Sequence, residues 1–106
     1  MANYVMVYRG GERTTAPSEE ESKAILAAWN KWFEGLGAAL VDGGNPFGPS
    51  MSVAPDGTTS EGTASRLTGY TVLKADSLGD ATAMAKGCPH LTDGGTVEVY
   101  ETFQVM

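Results

Sequence analysis

The chain has 106 residues, 42% of them apolar and 19% charged, which is the size of one domain built on one core, and no apolar run approaches the roughly 18 residues a membrane-spanning helix needs. Thirteen acidic residues against seven basic leave a formal charge of −6, with no cluster of cations to offset it, so neither nucleic acid nor a membrane is expected as a partner. The lone cysteine, Cys88, has no internal disulfide partner, and the opening MANYVMVYRGG meets Arg9 too early for a secretory apolar region, so the expected compartment is the cytoplasm.

Tyr4 to Tyr8, YVMVY, predicts a strand of branched, aromatic and long apolar residues that ends at Gly10-Gly11. Pro17-Ser18-Glu19-Glu20-Glu21 predicts a helix start, because Ser18 can cap while three carboxylates sit at the positive helix end. Ile25, Trp29, Trp32, Phe33, Leu36 and Leu40 then recur at helical spacing, predicting an amphipathic helix of about five turns. Gly35 and Gly37 fray its end, and Gly43-Gly44-Asn45-Pro46 supplies turn chemistry. A short alternating run, Met51 to Ala54, followed by Asp56-Gly57, predicts a hairpin with a weak return strand. Leu67 to Ala75 reads as a strand. Ser77 with Asp80 predicts the cap of a short second helix whose inward positions are Leu78, Ala81, Met84 and Ala85, with Gly87 as a left-handed end residue and Pro89 barring continuation. Thr96 to Phe103 alternates at period two and closes the chain as a strand.

The order strand, helix, strand, strand, helix, strand predicts an α+β, ferredoxin-like sandwich over residues 1–106, with an antiparallel sheet and two helices on one face. The other face is expected to carry Tyr4, Met6, Tyr8, Tyr70, Val72 and Tyr100. A face so apolar implies a homodimer in which two sheets pack together.

Four segments, YVMVYRGGE, WNKWFEGLGAALVDGGNPFGPS, GYTVLKADSLGDATAMAKGCPHL and GGTVEVYET, resemble in order and spacing the YCII-related family, including the branch once called the DGPF domain. The likeness covers most of the chain and is strongest over AKGCPHLTDGGTVEV, Ala85 to Val99. It implies a dimeric α/β barrel of ferredoxin-like subunits. It also implies a His-Asp pair as the suggested chemistry, with aromatic-ring dehydrochlorination ascribed to one relative and sigma-factor gene neighbourhoods to others. This chain departs from the pattern twice: the corresponding region reads Ser60-Glu61-Gly62-Thr63-Ala64-Ser65 instead of Asp-Gly-Pro-Phe, and the first helix holds no histidine. What carries over is the Cys88-Pro89-His90 block and the Gly43-Gly44 turn.

His90 is the only imidazole, and an imidazole can give or take a proton near neutral pH. Its bland alternative is a loop histidine that bonds a helix-end carbonyl or completes a dimer pocket. Asp42 and Asp76 are candidate orienting carboxylates, with Asp76 alternatively a helper of the second helix cap. Trp29 and Trp32 project to one side of the first helix and, with Tyr70 or Tyr100, can wall a pocket for an aromatic ligand or can simply be core. Arg9 can fork a carboxylate, or can pair with Glu12 or Glu101. Cys88 follows a helix C-terminus, which disfavours thiolate, and reads as a small buried hydrophobe. One His and one Cys do not make a zinc set, and no phosphate-cradling glycine motif is present, so no metal and no cofactor is expected. The expectation is therefore a homodimer that binds a small aromatic or carboxylate-bearing molecule between the sheet and the first helix, with His90 as acid or base. Its alternative is a noncatalytic accessory or regulatory dimer that contacts a protein partner.

Overall fold

The structure, a computed structural model, describes residues 2–11 and 17–105. It is an α+β fold, consistent with the ferredoxin-like class: β1 (Ala2–Arg9), α1 (Glu19–Leu36), β2 (Leu40–Asp42), β3 (Met51–Val53), β4 (Thr59–Glu61), β5 (Leu67–Ala75), α2 (Leu78–Ala85) and β6 (Thr96–Glu101). Four of the strands form one sheet in the order β2-β5-β1-β6 with every pairing antiparallel, while β3 and β4 form a separate two-stranded hairpin.

Local chemistry explains the helix ends. Ser18 Oγ accepts from the Glu21 amide at 3.1 Å, and Glu19, Glu20 and Glu21 occupy the first turn, where the helix dipole favours anions. Eighteen residues give α1 a length of about 27 Å. It stops at Gly37, whose φ of +54° a side chain resists, and the Gly37 amide returns to the Phe33 carbonyl. Ser77 caps α2 in the same way as Ser18 caps α1, accepting from the Asp80 amide at 3.1 Å.

The helices cover one face of the sheet. Met6, Tyr8, Leu73, Ala85 and Cys88 form one buried cluster against Trp29, Trp32 and Leu36, and Tyr4, Ala75 and Ala81 form a second. Small residues at Ala81 and Ala85 let α2 lie close to the strands.

Six expectations need correction. Tyr4, Met6 and Tyr8 point toward the helices, whereas the uncovered face carries Val5 and Val7 beside Val72 and Tyr70 on β5 and Tyr100 on β6. In YVMVY both alternating sets are apolar, so period two separates the faces without saying which is covered. Leu40 belongs to β2, the sheet's edge strand, because the turn at Gly37 carries it off the helical stripe. Leu78 is 47% exposed and β6 ends at Glu101. Arg9 pairs with Glu98 (Nε to Oε1, 3.6 Å), since both lie on the uncovered face and Glu101 stands beside Tyr4; Glu12 lies outside the described residues. Gly87 takes no left-handed conformation; its role is spatial, because a Cβ there would sit 3.3 Å from the Trp32 ring.

Among the described residues no helix is long and apolar enough to cross a membrane. The hairpin turn is fastened by Asp56, whose Oδ1 accepts from the Thr58 amide at 3.0 Å and the Thr58 hydroxyl at 2.7 Å. Those bonds pull the Asp56 carboxyl below its ordinary range. Met51 and Val53 of the hairpin remain exposed.

Candidate functional site

Pro89 opens a 3₁₀ turn, Pro89–Asp93, directly after α2, and the Leu91 amide returns to the Cys88 carbonyl at 3.2 Å. This turn delivers His90 to the end of β1, where its Nε2 lies 3.0 Å from the Arg9 carbonyl oxygen. A carbonyl only accepts, so Nε2 carries the proton and donates; in the neutral ring Nδ1 then holds the lone pair. Two glycines make room for the ring. A Cβ on Gly95 would fall 2.1 Å from His90 Nε2, and one on Gly11 would fall 2.9 Å from Cε1.

The imidazole leans on Tyr8 (centroids 5.3 Å apart), and Tyr8 meets Trp29 edge-on at 5.4 Å. Trp29 continues to Phe33 at 5.8 Å. On the opposite side the segment Gly43 to Phe47 lies across β5 as a strap. Asp42 Oδ1 accepts from the Gly44 amide at 2.9 Å, Pro46 bridges to Gly69, and the Phe47 amide bonds the Thr68 carbonyl at 2.8 Å. The strap can lie this low because Gly44 has no side chain: a Cβ there would reach within 1.7 Å of the Tyr70 carbonyl oxygen. Phe47 then stacks on Tyr70 at 5.7 Å.

Between strap, helix and sheet end lies a cleft of about 460 Å³ lined by Tyr8, Leu26, Trp29, Phe33, Gly43, Gly44, Asn45, Pro46, Thr68, Gly69, Tyr70 and His90. This is within the usual range for a small-molecule site. None of the lining side chains is Asp, Glu, Lys or Arg. The larger cleft, about 720 Å³, lies beside the hairpin among hydroxyl-bearing residues and contains no imidazole.

A hydrogen-bond chain ties the cleft floor to the strap. The Thr71 hydroxyl donates to the Gly43 carbonyl at 3.0 Å, so the buried Tyr8 hydroxyl must donate to Thr71 Oγ1. Burial pushes the Tyr8 phenol well above its ordinary value of 10.0, which keeps the donated proton in place. Burial likewise pushes the Cys88 thiol up, against the lowering effect of the neighbouring His90 backbone and Tyr8 hydroxyl, so Cys88 is a packed thiol and not a nucleophile.

The structure brings His90 and Trp29 to one cleft; Tyr70 borders it from β5, but its register opposite Val7 puts its ring on the uncovered face, stacked on Phe47, and the other candidates lie elsewhere. Trp32 donates Nε1 to the Met84 carbonyl at 3.1 Å and packs toward α2. Tyr100 is 54% exposed on the uncovered sheet face. Arg9 contributes only its carbonyl to the His90 side, and its guanidinium meets Glu98. Asp76 follows the far end of β5, about 23 Å along the strand from Gly69 at the usual rise per residue. Asp42 spends an oxygen on the strap. No carboxylate therefore orients His90 among the described residues; a backbone carbonyl does. Phe33, Leu26 and Asn45 also line the cleft. Their signal in the sequence was slight: Phe33 shared the helical stripe with the tryptophans, and Asn45 stood in a turn motif.

Among the described residues no group of three or more His, Cys, Asp or Glu stands close enough to hold a metal ion. No protein-family model, curated protein or solved structure matches the chain.

Proposed function

We propose that this protein is a YCII-like, ferredoxin-like subunit of a face-to-face dimeric α/β barrel, and that its aromatic cleft binds a small, flat, largely uncharged aromatic molecule with His90 as the proton donor or acceptor. The observation that carries the reading is the convergence of His90 with Trp29, Phe33 and Tyr8 around one cleft without a fixed charge. Aromatic walls favour a ring through stacked and edge contacts. The absence of a lining cation disfavours a carboxylate as the group that anchors the ligand. The uncovered face, with Val5, Val7, Val72, Tyr70 and Tyr100, supports the paired sheets.

Screening a library of neutral aromatics and aromatic acids by thermal shift tests this. A ligand that binds only the folded state raises Tm, by about 2.7 kcal/mol of stabilisation at a hundredfold excess over Kd. The raised Tm is expected for neutral aromatics and is expected to shrink in Trp29→Ala and His90→Ala. A response from no aromatic, or an undiminished response in both variants, refutes the proposal. The exposed Met51 and Val53 on the hairpin favour a second reading, a noncatalytic accessory or regulatory dimer that contacts a protein partner. A stable protein complex lost in Val53→Asp, with no small-molecule response, selects it.

A further inference from the structure

Arg9 and Arg66 stand on neighbouring strand ends: Arg9 pairs in register with Leu67, the residue after Arg66, across a bulge between Tyr8 and Arg9. Together with Gly10, Ala64 and Ser65 they line a cleft of about 350 Å³, which shares Ala64 and Arg66 with the larger hairpin cleft. In a chain of net charge −6, two arginines at one small concavity need a reason. Arg66 has no ion pair among the described residues, and the Arg9 contact with Glu98 runs through Nε at 3.6 Å, a loose pair that a better acceptor can replace.

Arg66 is also the only non-glycine among the described residues with a positive φ, +51°. L side chains resist that conformation, and such residues persist at ligand sites where the surroundings hold them. A glycine here would relieve the backbone and lose the guanidinium. We infer that the Arg9–Arg66 cleft binds the phosphoryl group of a small, freely diffusing molecule. Each planar fork can offer paired N–H donors to phosphate oxygens, and Ser65, a hydroxyl-bearing residue, lines the same cleft. The overall negative charge repels polyanionic surfaces and leaves a small ligand as the occupant. This site lies apart from the aromatic cleft, with no lining residue in common.

The test is a titration of the isotope-labelled full chain with inorganic phosphate at constant ionic strength, read as amide shifts. Saturable shifts at Gly10, Ala64, Ser65 and Arg66 are expected. Arg9→Gln and Arg66→Gln are each expected to weaken the response roughly tenfold, the loss that follows from one charged hydrogen-bonding partner. Arg66→Gly is expected to keep or raise Tm while losing the phosphate response, which separates binding from folding. Vesicles of phosphatidic acid are expected not to bind. Absent saturation at these residues, an unchanged titration in Arg66→Gln and Arg66→Gly, or binding to vesicles in place of free phosphate overturns the inference.

Discussion

Gly95→Ala is the sharpest probe of how His90 is held. The added methyl would sit 2.1 Å from Nε2, 2.4 Å from Cδ2 and 2.6 Å from Cε1 of His90, so ring and methyl exclude each other. The imidazole is the end of a side chain and escapes by rotating. The cost is then that of what the ring leaves behind: the bond to the Arg9 carbonyl, worth about 1 kcal/mol, and the contact with Tyr8, worth about 0.5–1 kcal/mol. A loss of about 1.5–2 kcal/mol corresponds to a Tm drop of about 6–16 °C for a domain of this size. Urea unfolding of wild type, Gly95→Ala, His90→Ala and the double variant closes a cycle. Once His90 is gone, Gly95→Ala has nothing to displace, so its penalty is expected to shrink to a few tenths of a kcal/mol. An equal penalty in both backgrounds refutes the cradle and leaves the glycine with a purely backbone role.

Gly44→Ala is expected to cost about 2–4 kcal/mol in the same assay, because its methyl meets backbone at Tyr70 and a positive φ of +74° adds strain; a loss below about 1 kcal/mol contradicts the low-lying strap. Val72→Arg on the uncovered sheet face is expected to convert a dimer into a folded monomer in sedimentation at micromolar concentration, and a monomeric wild type ends the paired-sheet proposal. Stability is expected to fall as pH rises through the ordinary thiol and phenol values of 9.0 and 10.0, since unfolded Cys88 and Tyr8 release protons that the folded chain retains. Below those values their contribution is fully present. Tyr8→Phe flattens the part of the decline above pH 10, and an unaltered slope in chemical denaturation at graded pH counts against a buried, protonated phenol.

Much of the fold was legible because it rests on local rules. Ser18 and Ser77 announce both helix starts by a hydroxyl three residues before an acidic amide, and Leu67 to Ala75 has the branching and bulk of a central strand. What stayed hidden depends on register. Three residues, Leu40 to Asp42, are too few to show a period, and they become a strand only by pairing with β5. Which side of YVMVY is covered is decided by where the helices land. The same limit governed the candidate site. Trp29 and His90 share a cleft because the middle of α1 and the turn after α2 both pack on Tyr8, a convergence that the aromatic stripe and the lone imidazole hinted at separately. Arg9, Tyr100 and Asp76 fall elsewhere because strand alternation and strand length place them on the other face or at the other end of the sheet.

The Tyr8–Thr71–Gly43 chain of hydroxyls gives the interior control over the aperture above it. Thr71 is fully buried, yet its one proton sets how far the Gly43 carbonyl stands from the sheet. A core substitution such as Thr71→Val, nearly the same in shape, would free the lip and widen the range of molecules admitted without altering a single surface atom. On the proposed reading of the cleft as a ligand site, its selectivity is thereby tuned from underneath.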